Sequence, residues 1–579
     1  MAGIYGVIAR EALPEVREVY RLFFSASVEG TRNEEIVAGR MLFGRSVPDR
    51  FDRDRVLYEE GDVIIAFEGV CYNLGAPYDH MGKMLLALYR EKGTGFVEEI
   101  DGNFSGFLLD RRTNTLLLFT DHLNTKPLYF FQNDAYFVFA SELKVLSALL
   151  PRLGIKTAPD RNGILSLAAF GYVLDNATLL EDVRKLPYGT LMTLDIERWK
   201  VTQAHYFDFS AIGENAPESE AEMIERIDTL LTAGVAAQWR KDEAYGYKHY
   251  LFLSGGLDSR VNALLAHELG FTETTALTFA QRQSDDAVIA GRIAADYGFD
   301  YRFMPLDGGH YLEGDLTRFV AAGDGMNLLI GSAAGFDFLS RMDHRAYGTL
   351  HTGQIGDLLF GSYVKPSFSL QQAALTKERS LLESIEWFEP LRQRYENRPE
   401  LFGYEQRVMH GTFNGDRSLA HFTDISSPFY NKELIRYCFG MPKAAKLHEG
   451  IYLKWINARH PSIAKYVWEQ AGVRPTSVRK TVWGRQWKRY QNALRRRLGL
   501  SINDMNPFDQ WYHGNPRLRK NLDTVFRERI EEVTDPMLRT LLLEMYAPPQ
   551  ERGHYGRYNK YLAVTVLLAL ELHFPGGKR

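Results

Sequence analysis

Leu251-Phe252-Leu253-Ser254-Gly255-Gly256-Leu257-Asp258-Ser259-Arg260 is the stretch whose reading decides the fold. An apolar run of strand character enters a Gly-Gly turn and leaves into helix-forming sequence. The two glycines let the backbone approach an anion, and free amides at the helix start, with the hydroxyls of Ser254 and Ser259, can bind it. Such a loop can cradle pyrophosphate. It lacks the Gly-Lys-Ser/Thr ending of a Walker A loop, so transfer of a terminal phosphate is not the chemistry it points to. Asp258 would place a carboxylate beside the phosphates, a position suited to Mg²⁺.

Strand and helix alternate around this loop. A helix is expected over Ala221 to Arg240, a strand over Tyr250 to Leu253, a helix over Ser259 to Leu269, a strand over Thr274 to Phe279 and a helix over Asp285 to Tyr297. That order argues for a parallel sheet with helices on its faces. From about residue 370 the chain reads as mostly helical. Before residue 205 the pattern differs. Short apolar runs at Val63 to Phe67, Phe104 to Leu109, Thr115 to Phe119, Leu128 to Phe131, Tyr136 to Ala140 and Thr190 to Leu194 read as strands of a mainly antiparallel domain, with a helix at Gly82 to Lys92. The small, acidic stretch from 210 to 222 reads as linker and helix start. Two domains are therefore expected, residues 1–208 and 220–579.

Composition bounds the rest. The 579 residues include 69 Lys plus Arg and 73 Asp plus Glu, a net charge of −4, with 45% hydrophobic residues. That is the mixture of a soluble globular chain, and it calls for no nucleic-acid partner. Two cysteines, Cys71 and Cys438, exclude a disulfide scaffold and a cysteine-built zinc site, and fit a reducing compartment. The first ten residues do not read as a signal peptide, and the longest apolar stretch, Leu562 to Leu570, falls short of the roughly 20 residues of a membrane span. A cytoplasmic protein without membrane contact is expected, with a buried helix near residue 565. Arg474 to Arg497 carries nine Lys or Arg and no acid, interleaved with Trp483, Trp487 and Tyr490. It reads as part phosphate contact, part solvated face or dock for an acidic partner.

With these residues in hand, the chain resembles the asparagine synthetase family. The loop at 254–259 is similar to the pyrophosphate loop of ATP pyrophosphatases. Thr274 to Phe279 followed by Ser284-Asp285-Asp286-Ala287 resembles the family's second nucleotide-contacting stretch. Thr352-Gly353-Gln354-Ile355-Gly356-Asp357-Leu358-Leu359-Phe360-Gly361-Ser362-Tyr363 resembles its later Gly-Asp motif, and Arg479-Lys480-Thr481-Val482-Trp483-Gly484 a loop whose lysine closes over the phosphates. The resemblance implies an α/β fold with two parts: an N-terminal Ntn-hydrolase-like αββα sandwich and a C-terminal parallel-sheet ATP-pyrophosphatase domain of the adenine nucleotide alpha hydrolase type with a helical extension. It implies an ATP- and Mg²⁺-dependent carbon–nitrogen ligase that adenylates a carboxylate, releases pyrophosphate and lets an amine attack. In that reading Leu253, Ser254, Gly255, Gly256, Leu257, Asp258, Ser259, Thr278, Phe279, Gly353 and Gly356 bind nucleotide. Asp258 and Asp357 hold the metal, and Asp357 and Lys480 are catalytic. Gln354 and Leu358 stand where the family carries acids, so the acceptor pocket is expected to differ.

Residues 3–6, 67–73, 101–107, 120–129 and 140–144 resemble the family's glutamine-hydrolysing domain, but its chemistry is missing. The family's nucleophilic cysteine follows Met1; here stands Ala2, and a methyl cannot attack an amide. Glu68 replaces the asparagine that donates to the oxyanion, and a carboxylate would repel that charge. The Arg-Gly-Pro-Asp stretch is lost, with Arg45-Ser46-Val47-Pro48-Asp49-Arg50 its nearest remnant. A degenerate glutaminase domain is expected, with Cys71 a buried small hydrophobe in mid-strand. The amine must then come from elsewhere. An intramolecular cyclase of the lasso-peptide macrolactam or β-lactam synthetase type leads, with a peptide precursor and a maturation protein as candidate partners. Intermolecular amidation of aspartate, a sugar acid or a polysaccharide precursor, and a non-catalytic scaffold, are the alternatives.

Overall fold

Strands Val63–Cys71 and Gly102–Asp110 pair antiparallel, and every residue of both is buried. The reason is cover on both faces. Side chains alternate across a strand, so Val63, Ile65, Phe67 and Cys71 pack with Met84 and Leu85 of the helix Met81–Lys92. Ile64 and Ala66 point the other way, against Ile4, Ile8 and Phe43 of a second sheet. Each sheet has six antiparallel strands. On the far side of the second, helix Leu143–Arg152 packs Leu146 and Leu149 with Tyr5, Val7 and Val138. The layers are helix, sheet, sheet, helix, as the resemblance implied. The structure is a computed structural model that describes residues 3–73, 79–365, 367–375, 379–498, 504–547 and 558–576.

The last strand of this sandwich is Lys200–His205, and the helix Glu220–Ala244 follows. Ser219 caps it reciprocally with Glu222, satisfying two amide donors that the helix end leaves open. Five parallel strands then form one sheet in the order Asp300–Pro305, Thr274–Ala280, Lys248–Phe252, Tyr347–His351, Ile425–Ser426. From Lys248–Phe252 the chain builds outward to one edge, then returns to lay Tyr347–His351 on the other side. That strand is the topological switch point, where open α/β sheets leave a crevice at their carboxyl ends. Helix Asp285–Tyr297 has the expected bounds, capped by the Ser284 hydroxyl, which accepts from the Ala287 amide, and ended by Gly298 at φ 70°. Helix Leu257–Glu268 starts two residues earlier than the sequence suggests, because Gly256 is the extended cap and Leu257 is already buried.

Among the described residues no helix is long and apolar enough to cross a membrane. The apolar stretch near the C-terminus is the buried helix Asn559–His573, which packs on helix Arg161–Phe170.

The two halves are joined through buried polar groups. The Asn103 side chain donates to the Ile425 carbonyl at 2.8 Å, and a ring nitrogen of His122 lies 2.7 Å from the Tyr430 carbonyl. Between them sits a cluster of four charges. The Asp424 carboxylate binds Arg55 and, at 2.5 Å, Lys126, while Glu68 lies 3.5 Å from each of the same two cations. All four side chains are at most 7% exposed. Glu68 explains why strand Val63–Cys71 runs on past the apolar run that ends at Phe67: its charge is matched inside the protein.

Candidate active site

At the carboxyl ends of strands Lys248–Phe252, Thr274–Ala280 and Tyr347–His351 lies a cavity of about 380 Å³. Leu253, Ser254, Gly256, Leu257, Asp258, Ser259, Thr278, Phe279, Gly353 and Asp357 line it. Within the loop the two serine hydroxyls are 2.9 Å apart, and the Ser254 amide donates to the Ser259 hydroxyl at 3.2 Å. The Thr278 hydroxyl ties its strand to the loop by donating to the Leu253 carbonyl at 2.7 Å.

Gly255 and Gly356 stand behind this wall. A Cβ on Gly255 would meet the Cβ of Glu469 at 2.8 Å, and one on Gly356 would meet the Asp258 carboxyl carbon at 2.6 Å. Gly353 is tighter still, with the Ser259 amide nitrogen 2.1 Å from an added Cβ. These glycines let two loops approach, which brings Asp258 to Asp357. The Asp357 amide donates to one oxygen of Asp258 at 2.9 Å, and the Tyr452 hydroxyl to the other at 3.0 Å. Burial pushes the Asp258 carboxyl well above its ordinary range, and the Asp357 charge adds to that.

The electrostatics of the cavity are one-sided. Its lining carries five carboxylates, Asp258, Asp286, Asp357, Glu449 and Glu469, and no lysine or arginine among the described residues. Asp286 accepts the Gly255 amide at 2.9 Å, inside the loop that would hold an anion. Glu469 is pushed up to about 7 by burial and then by Asp286. A polyphosphate could not enter this lining without divalent cations between it and the acids. Asp258 and Asp357, hard oxygen donors on facing loops, fit Mg²⁺.

Lys480 is not brought to the cavity. The expected phosphate-closing loop is instead the first turn of helix Val478–Arg497, and Lys480 is exposed there. The cations that approach are one face further along. Arg485 pairs with Glu449 and Lys488 with Asp285, each near 2.8 Å, in a second cavity that shares Glu449, Glu469 and Gln470 with the first. Burial works against the Lys488 charge, but hydrogen bonding to Asp285 and the neighbouring acids outweigh it and hold the ammonium protonated above its ordinary range. Eight residues separate Lys480 from Lys488, about 12 Å along the axis. A short motif cannot tell which lysine of a basic helix faces inward.

Sequence reasoning also missed Glu449, Tyr452, Trp468, Glu469 and Gln470, which sit on irregular segments and a helix without a motif. Gln354, read as a departure, has a defined role. It lines the cavity, and its side chain donates to Asp416 at 2.6 Å. Tyr430 donates to both the Gln354 oxygen and Asp416. Burial pushes Asp416 up to about 7 against those two hydrogen bonds.

In the N-terminal half, Ala2 lies outside the described residues. Cys71 is the last residue of its strand rather than its middle, buried among the apolar side chains under helix Met81–Lys92. Cys438 is buried too, and burial pushes its thiol up to about 12. Neither can act as an exposed thiolate. Two cavities that flank Tyr430 between the halves measure about 10 and 20 Å³, room for about one water each.

Known proteins bear on this geometry. A family model for a glutamine amidotransferase domain matches residues 54–207, and one for asparagine synthase matches residues 226–460. The chain is similar to the glutamine-hydrolyzing asparagine synthetase 2 of Bacillus subtilis, 28% identical over 258 residues, which cover 42% of this chain and 34% of that protein. It is similar also to asparagine synthetase 1 of the same organism, 24% identical over 319 residues, covering 53% and 48%. The chain thus spans about half or less of the length of these relatives. Among solved structures, the glutamine phosphoribosylpyrophosphate amidotransferase of B. subtilis with ADP and GMP overlaps 53% of this chain and 91% of its own, at 11% identity and a TM-score of 0.27.

Proposed function

Because this chain belongs to the asparagine synthetase family, we propose that it is an ATP-dependent carbon–nitrogen ligase that adenylates a carboxylate and joins it to an amine not drawn from glutamine. The observation that carries this reading is the cavity at the switch point, where Asp258 and Asp357 meet beside the Ser254–Ser259 loop in a lining without Lys or Arg among the described residues. In this mechanism the loop's amides and hydroxyls hold the pyrophosphate portion of ATP, which requires Gly255 to release Asp286. Mg²⁺, held by Asp258 and Asp357, would neutralise the phosphates and the charge on the leaving pyrophosphate. Arg485 and Lys488 stand in the adjoining cavity, in the direction open to the departing anion.

The amine's source follows from the N-terminal half. Both cysteines are buried, and Glu68 is committed to Arg55 and Lys126 where the family's oxyanion donor would act. The half is a scaffold that supports the synthetase sheet. No glutamate is expected from glutamine above the uncatalysed background, and release that Cys71→Ala abolished would overturn this part. In this reading, with the amine not drawn from glutamine, an intramolecular amide closure is the favoured chemistry, since holding amine and acyl-adenylate in one bound molecule removes much of the entropic barrier.

The test is exchange of labelled pyrophosphate into ATP that depends on an added carboxylate. No exchange with any carboxylate, including peptide, amino acid and sugar acid panels, would leave a binding scaffold. With a substrate found, a product lighter than one molecule by the mass of water marks cyclisation, and a joined pair marks intermolecular ligation.

Asp416 is buried behind the cavity wall, where it accepts from the lining Gln354 at 2.6 Å. An amine must lose a proton as it attacks, and a carboxylate of ordinary acidity is a weak acceptor at neutral pH. Asp416, raised to about 7, takes up that proton by way of the Tyr430 hydroxyl that donates to it, while the Gln354 amide holds the pair in place. The amide-forming step is expected to rise with pH to a plateau above about 7. In Asp416→Asn that inflection should vanish and the step slow by about 10²-fold, while pyrophosphate exchange persists. A profile unchanged in the variant would exclude Asp416 from proton transfer.

A further inference from the structure

Helix Val478–Arg497 has a second face that the cavity does not use. Its inner face is tied down: Thr481 is buried, Gly484 lies so close to the Ala471 carbonyl that a Cβ would approach it to 2.4 Å, and Arg485 and Lys488 are paired. On the outer face Trp483, Trp487, Tyr490, Leu494 and Leu498 are 46–64% exposed. The two tryptophan rings lie 6.1 Å apart and 4° from parallel, and Tyr490 continues the stack at 5.8 Å. Leaving three aromatic rings and two leucines in water along one line is unfavourable unless something covers them.

We propose that this face docks an acidic amphipathic helix of a partner protein. The spacing chooses a helix. Positions 483, 487, 490 and 494 alternate steps of four and three, the seam by which one helix packs on another. At 100° per residue the line from Trp483 to Leu498 is about 80° wide, narrower than the 100° or more of a face lying on a membrane. The charge chooses an acidic partner. The helix carries eight Lys or Arg and no acid, and Arg479, Lys480 and Arg495 are exposed around the seam, while Arg489 lines the second cavity with Arg485 and Lys488. A second copy docking through the same face would set Arg479, Lys480 and Arg495 against their own counterparts, so self-association there is opposed. Lys480, which does not reach the cavity, finds its place here.

The probe is a labelled 21-residue synthetic peptide with leucine at seam positions and glutamate at the flanking ones, titrated into the full chain and followed by anisotropy and by tryptophan emission. Saturable binding with a blue shift is expected. It should weaken at least about tenfold in the double variant Trp487→Ala/Tyr490→Ala and with added salt, while pyrophosphate exchange stays at the unaltered rate. A scrambled peptide of the same composition that binds equally would reduce the face to an ion exchanger and overturn the proposal. So would binding to vesicles of anionic phospholipid or to a single-stranded oligonucleotide in preference to the peptide. A dimer in solution that the double variant dissolves would assign the face to a second copy instead.

Discussion

Asp258→Asn is expected to abolish pyrophosphate exchange, by at least about 10³-fold, while the protein remains folded. The substitution removes charge and little else. Asparagine keeps an oxygen for the Asp357 amide or the Tyr452 hydroxyl and fits the space that Gly356 leaves open. Two carboxylates held this close destabilise the protein when no cation lies between them, and burial of Asp258 adds to the cost. The variant's unfolding midpoint is therefore expected to equal or exceed that of the unaltered chain without Mg²⁺. Added Mg²⁺ should raise the midpoint of the unaltered chain by linkage and leave the variant's nearly unmoved. Exchange within tenfold of the unaltered rate would remove Asp258 from the chemistry.

The second large effect is on stability. Asp424→Asn is expected to cost about 3–5 kcal/mol, because it strands two buried cations. Arg55 and Lys126 would keep Glu68 as their one remaining carboxylate among the described residues, 3.5 Å from each, and Arg55 its bond to the Pro48 carbonyl. Asp424 also immediately precedes strand Ile425–Ser426, whose partner strand Tyr347–His351 leads into Gly353 and Asp357. Heating followed by circular dichroism should show the lowered midpoint, with exchange retained at low temperature. Arg345→Ala, which breaks the solvent-exposed pair with Asp343, should leave the midpoint unchanged. An Asp424→Asn midpoint equal to that of Arg345→Ala would mean the cluster does not hold the halves together. The same cluster sets an acid limit. Burial alone would raise the Asp424 carboxyl, but Arg55 and Lys126 outweigh it and hold it below its ordinary value. Its contribution is therefore complete above the unfolded carboxyl value of about 4 and is lost as pH falls through the lower folded value.

Local pattern made much of the fold legible. Burial on both faces leaves a strand as a continuous apolar run, so Tyr136–Ala140 is readable in the chain, and helix Asp285–Tyr297 announces its ends with Ser284 and Gly298. The Ser254–Ser259 loop and Asp357 are readable for a related reason: close backbone approach demands glycine and anion binding demands hydroxyls. Lys480 was misplaced because a basic helix of eight cations has no local mark for its inner face. Asp416 and Glu469 were invisible since their raised values come from burial, which is a property of the packed chain.

Sequence alone made legible the parallel sheet, the Gly-Gly loop between Ser254 and Ser259 and the Ala that stands at position 2, all of which depend on residues adjacent along the chain or on a single position. Tertiary structure alone decided which charges face one another. It turned Glu68 from a repelling carboxylate into the counter-ion of Arg55 and Lys126, gathered five carboxylates on the cavity lining, and left Trp483, Trp487 and Tyr490 in solvent. Coulomb and desolvation energies depend on distance and burial between groups far apart along the chain, 369 residues for Arg55 and Asp424, and no local pattern encodes them.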